Sequence, residues 1–160
     1  MEIKLTLALP RDELSVPVVR RVLKASMSAL GVESDVIADI ELALTEAVTN
    51  VLDHAQDGDD YEVSAGIDDR LCVIEVIDRG AGFDSNELGR DEAHLDAEGG
   101  RGIQLMRALV DKVTFESVPR VGTVVHLEKT LEWHEDSAIK RLTEDNAPTE
   151  RGPWSEEPRR

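Results

Sequence analysis

Three short stretches of this chain carry residue types whose spacing suits chemistry. The first is Glu46-Ala47-Val48-Thr49-Asn50, followed by His54-Ala55. Glu46, Asn50 and His54 fall at i, i+4 and i+8, so on a helix they share one stripe. That stripe borders an apolar face of Ile37, Ile40, Leu44, Ala47, Val48 and Val51, which puts the polar groups inside a cavity or on its rim. An amide oxygen is a fitting ligand for Mg²⁺, and a carboxylate one turn away can orient or deprotonate a nucleophile. Alone, a Glu and an Asn at this spacing are ordinary helix surface.

The second stretch is Asp78-Arg79-Gly80-Ala81-Gly82-Phe83, where an apolar strand ends on a carboxylate and two glycines follow. A carboxylate there can accept hydrogen bonds from an amino group on a planar base, and Gly80 and Gly82 let backbone approach a ligand with no Cβ between. Read alone, it is also a plain turn, because Asp-Gly-rich turns after strands are common. The third is Gly99-Gly100-Arg101-Gly102-Ile103, glycines entering a helix, which present backbone N–H groups and the positive end of the helix dipole to a phosphate. G-x-x-x-x-G-K-[ST], H-R-D and D-F-G do not occur in the chain, so a nucleotide site built from these parts is not of those types. The four histidines, His54, His94, His126 and His134, have no ligand-like spacing.

The elements that must position these residues are legible in the hydrophobic period. Ile3, Leu5, Leu7 and Leu9 alternate with Glu2, Lys4, Thr6 and Ala8, predicting a half-buried strand and not a signal peptide. Ser15 and Pro17 mark a helix start; Val19, Val22, Leu23, Ser26, Met27 and Leu30 form its face, and Gly31 stops it. A second helix opens at Ser34-Asp35 and runs to about Ala55, and residues 56–60 form a turn. Strands near Tyr61–Ile67 and Leu71–Asp78 read as a hairpin across Asp68-Asp69-Arg70. Residues 83–99 are polar and aperiodic, long enough to suggest a lid or binding loop. A helix from near Gly100 carries Ile103, Met106, Leu109 and Val110, and strands at Lys112–Val118 and Thr123–Thr130 follow.

The order β-α-α-β-β-α-β-β predicts an α+β fold, a two-layer sandwich with helices on one face of a mostly antiparallel sheet. In the hairpin, Cys72, Ile74, Val76 and Asp78 share one face, while Leu71, Val73 and Ile77 share the other with Glu75. Both faces are more apolar than an open sheet needs. Either the C-terminal segment covers the second face, or it is a dimer or partner surface. Residues 1–130 form the domain, and 131–160 a C-terminal extension. Segment 131–148 suits a short helix, and 147–160, with three prolines, reads as disordered. Trp133 and Trp154, the only tryptophans, lie in this extension.

Composition narrows the class. One hundred and sixty residues with 41% hydrophobic and 32% charged content suit one soluble domain. No segment has the ~20 apolar residues of a membrane span. One cysteine, Cys72, excludes an internal disulfide and fits a reducing cytoplasm. The net charge of −16 argues against a nucleic-acid surface. It serves either solubility or a basic protein partner.

Taken together and in order, E-A-V-T-N, D-R-G-A-G-F and G-R-G-I around a long loop resemble the N, G1 and G2 boxes of the GHKL (Bergerat-fold) ATP-binding family, over about residues 1–130. The form E-A-V-T-N-x-x-x-H-A and the late G-T-x-V-x-L (Gly122 to Leu127) are most similar to bacterial anti-sigma factor kinases of the RsbW and SpoIIAB type. Isoleucine at 103, where leucine is usual, is a conservative departure; the extension has no counterpart in the pattern. The resemblance implies that Asp78 binds the adenine amino group with Thr123 in support, that Asn50 holds Mg²⁺ against the phosphates, and that Glu46 is the base on an incoming hydroxyl. It implies that Gly80 and Gly82 shape the pocket and that Gly100 and Gly102 let a lid, residues 84–99, and the third helix close on the phosphates. His54 belongs to the N-box pattern, and Arg101 reaches either phosphate or a partner. ATP and Mg²⁺ are the cofactors implied. The partners implied are a STAS-type anti-anti-sigma protein that is phosphorylated on serine or threonine, a sigma factor that is sequestered, and a second copy in a homodimer. The alternatives are a regulatory module that binds nucleotide without transfer, which would need no base at Glu46, and the detached catalytic domain of a histidine kinase.

Overall fold

The computed structural model describes residues 2–54, 60–78, 99–118 and 122–144. The elements run β1 (Ile3–Pro10), α1 (Ser15–Leu30), α2 (Ser34–His54), β2 (Asp60–Ile67), β3 (Leu71–Asp78), α3 (Gly99–Leu109), β4 (Lys112–Val118), β5 (Gly122–Thr130) and α4 (Ala138–Glu144). Among the described residues this is the expected order with one further short helix. The five strands form one sheet in the order β1-β2-β3-β5-β4, and every neighbouring pair is antiparallel. The chain therefore leaves β3 for α3, returns at the sheet edge as β4, and slots β5 between β4 and β3.

Period-two burial sets the layers. Tyr61, Val63, Ala65 and Ile67 on β2, Cys72, Ile74 and Val76 on β3, and Val125 and Leu127 on β5 are all buried and join one core. From the helices, that core takes Val19, Leu23 and Met27 of α1, Met106 of α3, and Ile37, Ile40, Leu44, Ala47, Val48 and Val51 of α2. The α2 set is the full apolar face expected from its period. Burial drives the Cys72 thiol up to about 12, so it is an inert core group.

Local chemistry fixes the ends of the elements. Gly31 adopts φ +89° and donates its N–H to the Met27 and Ser28 carbonyls, closing α1 as a left-handed cap. Helix α1 begins at Ser15 as expected, but the serine does not cap it. Its hydroxyl instead lies 2.6 Å from both the Asp12 carbonyl and the Tyr61 hydroxyl, tying the helix start to β2. In the β2–β3 turn one Asp68 carboxylate oxygen accepts the N–H groups of Arg70 and Leu71, each at 2.7 Å. Those two bonds hold its pKa below the usual aspartate range.

The described part of the extension does not run over the second sheet face. Past β5 its described part, residues 131–144, turns to the α1–α2 connection. Trp133 bridges Val32, Glu33 N–H donates to the Glu132 carbonyl at 2.8 Å, and His134 N–H donates to the Gly31 carbonyl at 2.9 Å. The Trp133 indole donates to the Asp69 carbonyl at 3.0 Å, which makes this residue an internal staple and not an exposed anchor. Trp154 lies outside the described residues.

Two substitutions report on these ends. Asp68→Ala is expected to lower stability by roughly 1 kcal/mol at pH 7 in urea unfolding. A depressed folded pKa stabilises above the unfolded pKa and is lost as pH falls through the folded value, so the difference between Asp68→Ala and wild type should close at low pH. Gly31→Ala meets both a positive φ and a Ser137 backbone atom 2.9 Å from the added Cβ. Thermal melts should show a loss of at least roughly 1–2 kcal/mol, the backbone penalty alone.

Candidate functional site

The site begins where β3 ends. Antiparallel register aligns Tyr61, Asp78 and Thr123 in one row across β2, β3 and β5. Since inward residues of β3 recur every second position from Cys72, Asp78 must face the helices with the core, and it is only 3% exposed. Thr123, directly opposite on β5, is also buried, so the two residues that the motifs link are adjacent in the ladder.

Asp78 is not left with neutral neighbours. Arg11, just past β1, makes an ion pair through its Nη2 with Asp78 Oδ1. The turn that presents Arg11 is tightly held: Asp12 N–H donates to the Pro10 carbonyl at 2.8 Å, Leu14 N–H to Asp12 Oδ1 at 2.7 Å and Ser15 N–H to the Asp12 carbonyl at 2.8 Å. Arg11 also lines a cavity of about 350 Å³ with Glu13, Val16, Thr49, Leu52 and Asp53. Sequence reasoning missed Arg11 because nothing near it in the chain reads as a site; the pair spans 67 positions.

On the helix layer, Glu46 and Asn50 stand half-buried on the second half of α2, and α3 packs against them. The contact is made at Gly102. A Cβ there would lie 2.8 Å from Glu46 Oε2, and 3.7 and 3.8 Å from the two Asn50 side-chain atoms. The first turn of α3 thus brings its N-terminal backbone up to the carboxylate and the amide, and a Cβ at this position would push the Glu46 side chain aside. Arg101 on the same turn is exposed. Helix α3 is fixed at its other end by Lys129 of β5, whose Nζ donates to the Leu109 carbonyl at 2.6 Å and to Asp39 Oδ2 of α2 at 2.8 Å.

The structure therefore brings together Glu46, Asn50 and Gly102 in one group and Asp78 with Thr123 in another. Gly100 lies in the first turn of α3. Gly80, Gly82 and the lid residues 84–98 lie outside the described residues, as does the His54 side chain.

A sequence profile of the histidine kinase-like ATPase domain matches residues 9–129. The chain belongs to the histidine kinase-like ATPase family. Within that family it is similar to a serine-protein kinase RsbW of Bacillus pumilus, 35% identical over 72% of this chain and 78% of the relative. A second RsbW, from Halalkalibacterium halodurans, is 34% identical over 81% of this chain and 84% of its own. An anti-sigma F factor of Pasteuria penetrans is 33% identical over 64% of this chain and 74% of its own. Among solved structures, the fold is shared with the RsbU and RsbW domains of a Mycobacterium tuberculosis protein. That match has a TM-score of 0.63 and 24% identity, and it covers 81% of this chain and 32% of the longer one. The first and third of the three motifs sit on the second half of α2 and at the start of α3, and the second opens at Asp78, the end of β3.

Gly102→Ala separates stability from chemistry at this contact. Alanine favours a helix interior by roughly 0.5–1 kcal/mol over glycine, while the atom it meets is the far end of a flexible Glu46 side chain. The variant should melt at or above the wild-type temperature. ATP-dependent activity should fall by roughly tenfold or more as Glu46 is displaced. A variant that keeps full activity would show that Glu46 needs no fixed position.

Proposed function

We propose that this chain is an ATP-dependent protein serine/threonine kinase and anti-sigma factor, which phosphorylates a STAS-type anti-anti-sigma protein and sequesters a sigma factor. The observation that carries the reading is the placement of a carboxylate, Glu46, one turn from an amide, Asn50, under Gly102 in the first turn of α3. A module that only bound nucleotide would need the amide as metal ligand but no base beside it. The relatives, a serine-protein kinase and an anti-sigma factor by name, support both halves of the proposal.

The donor set fits a magnesium nucleotide. The Asn50 amide oxygen is a hard ligand of the kind Mg²⁺ takes. The first turn of α3, bare of side chain at Gly102, offers backbone N–H groups and the positive helix end to phosphate. Bound MgATP supplies the phosphoryl group and much of the charge neutralisation. What remains for the protein is positioning and one proton. Asp78 accepts the N–H of the adenine amino group, with Thr123 beside it. Asn50 holds the metal, Gly80 and Gly82 give the nucleotide room, and Gly100 and Gly102 let the lid at 84–99 and helix α3 close. Glu46 orients the incoming serine or threonine hydroxyl and takes its proton. Arg101, exposed on α3, reaches phosphate or partner, and His54 completes the N-box stripe.

The outer sheet face is the surface we assign to a second copy of the chain. Val73, Ile77 and Val124 stand there half-buried beside Glu75, His126 and Glu128. The acidic surface suits a basic segment of a sigma factor. No described helix is long and apolar enough to cross a membrane; the regulatory role places the protein in the cytoplasm.

The direct test is transfer from γ-labelled ATP to a STAS protein of the same genome. Label should appear on a partner serine or threonine. Glu46→Gln should cut the rate by roughly 10²–10⁴-fold, the ordinary worth of a general base, while nucleotide affinity stays within a few-fold. Tight ATP binding with no transfer to any STAS candidate would leave a binding module instead.

A further inference from the structure

We propose that Arg11 is a specificity-determining residue of the nucleotide site: by pairing with Asp78 it keeps that carboxylate a pure hydrogen-bond acceptor, so the pocket selects a base that carries an exocyclic amino group. The inference rests on the reading of Asp78 as the base-recognition carboxylate. It adds a residue that lies outside all three boxes and acts through Asp78 as a positioning residue.

Burial is the first argument. The Asp78 side chain is 3% exposed and the Arg11 side chain 12%, so the pair is held away from solvent. An ionised carboxylate buried at that level needs a compensating charge. A neutral base can donate an N–H to it but cannot supply that charge, so the guanidinium must stay when the base arrives. A carboxylate has about four lone-pair sites, so it can accept a guanidinium and a further N–H together.

Topology is the second argument. Arg11 reaches Asp78 from the β1 side of the sheet, across β2, whereas Thr123 flanks it on the opposite side, on β5. A base seated against Thr123 need not displace the ion pair. The bonds that hold the Arg11 turn, and the Ser15–Tyr61 contact beside it, also keep the guanidinium in place.

The chemistry then follows. Arginine stays protonated throughout the working range, so it offers Asp78 a permanent cation. Without it, a buried carboxylate tends to take up a proton and become a carboxylic acid, which can donate its O–H as well as accept. A donor and acceptor in that position accepts a 6-keto purine about as well as a 6-amino purine.

The experiment is calorimetric titration of wild type, Arg11→Met and Arg11→Lys with ATP, ITP and purine riboside triphosphate, which carry an amino group, a keto group and hydrogen at position 6. Wild type should prefer ATP over both others by roughly ten- to hundredfold, the range of a hydrogen bond to a charged group. In Arg11→Met that preference should shrink to within about threefold, and Arg11→Lys should restore most of it. A structural defect would weaken all three ligands alike, so an unchanged preference in Arg11→Met overturns the role of Arg11 and leaves Asp78 in place. A wild type that does not distinguish the three overturns the reading of Asp78 and this inference with it. Should Arg11→Met fail to fold, the wild-type protein still decides the matter. Its Arg11 guanidinium resonance should remain protected from exchange in saturating ATP, and release on ATP addition would overturn the proposal.

Discussion

A carboxylate buried at the end of a central strand is a severe demand on a small domain. Taking Asp78 out of water costs several kcal/mol unless a cation or well-placed donors answer it. The fold meets that demand from the edge of the sheet. Strand β1 is just long enough to pass β2 and turn at Pro10, and the turn is locked by Asp12 and Ser15 so that Arg11 arrives at Asp78. The Ser15 hydroxyl is withdrawn from helix capping to serve that lock through Tyr61, whose own phenol is pushed up by burial. The uncapped start of α1 and the unexpected partner of Asp78 are thus one feature.

Parity places the acid. Because side chains alternate along a strand, the same count that buries Cys72, Ile74 and Val76 also turns Asp78 toward the helices. One residue more or less in β3 would send the carboxylate to the outer face, away from Thr123 and the helices. The outer face carries the complementary set, in which Glu75, His126, Glu128 and Lys112 form a chain of contacts beside Val73 and Ile77. That mixture is wetter than a core and drier than a solvated face.

What was legible in the sequence is what repeats locally. Alternation gave β3 and β4 to the residue and β2 and β5 to within one, and the 3.6-residue period gave most of the buried face of α2, missing Val36 and Ala43. Gly31 announced the end of α1, and Asp68 the hairpin turn. The N box and the glycine before Ile103 were legible as motifs, and their contact is consistent with them, though its distance could not be read from the chain. Arg11 was not legible, because a long-range ion pair leaves no periodic trace. The same holds for the extension, where a staple between Trp133 and Asp69 depends on two loops that only the fold brings together. Charge and apolarity alone left the cover of the outer face undecided, because both answers need the same composition.

The helix pair shows why the site depends on residues far from it. Helix α3 has 11 residues, roughly 16 Å at the usual rise. Gly102 fixes its first turn against Glu46, and Lys129 fixes its last by joining the Leu109 carbonyl to Asp39 on the same helix that carries Glu46. Two contacts near opposite ends leave α3 little freedom to tilt against α2. In the proposed mechanism Glu46 must take a proton at one place and tolerates little misplacement, so Lys129 on β5, outside all three motifs, helps set where Glu46 stands. Positioning by the frame, and not the number of reactive groups, is what so sparse a site can use to move a phosphoryl group.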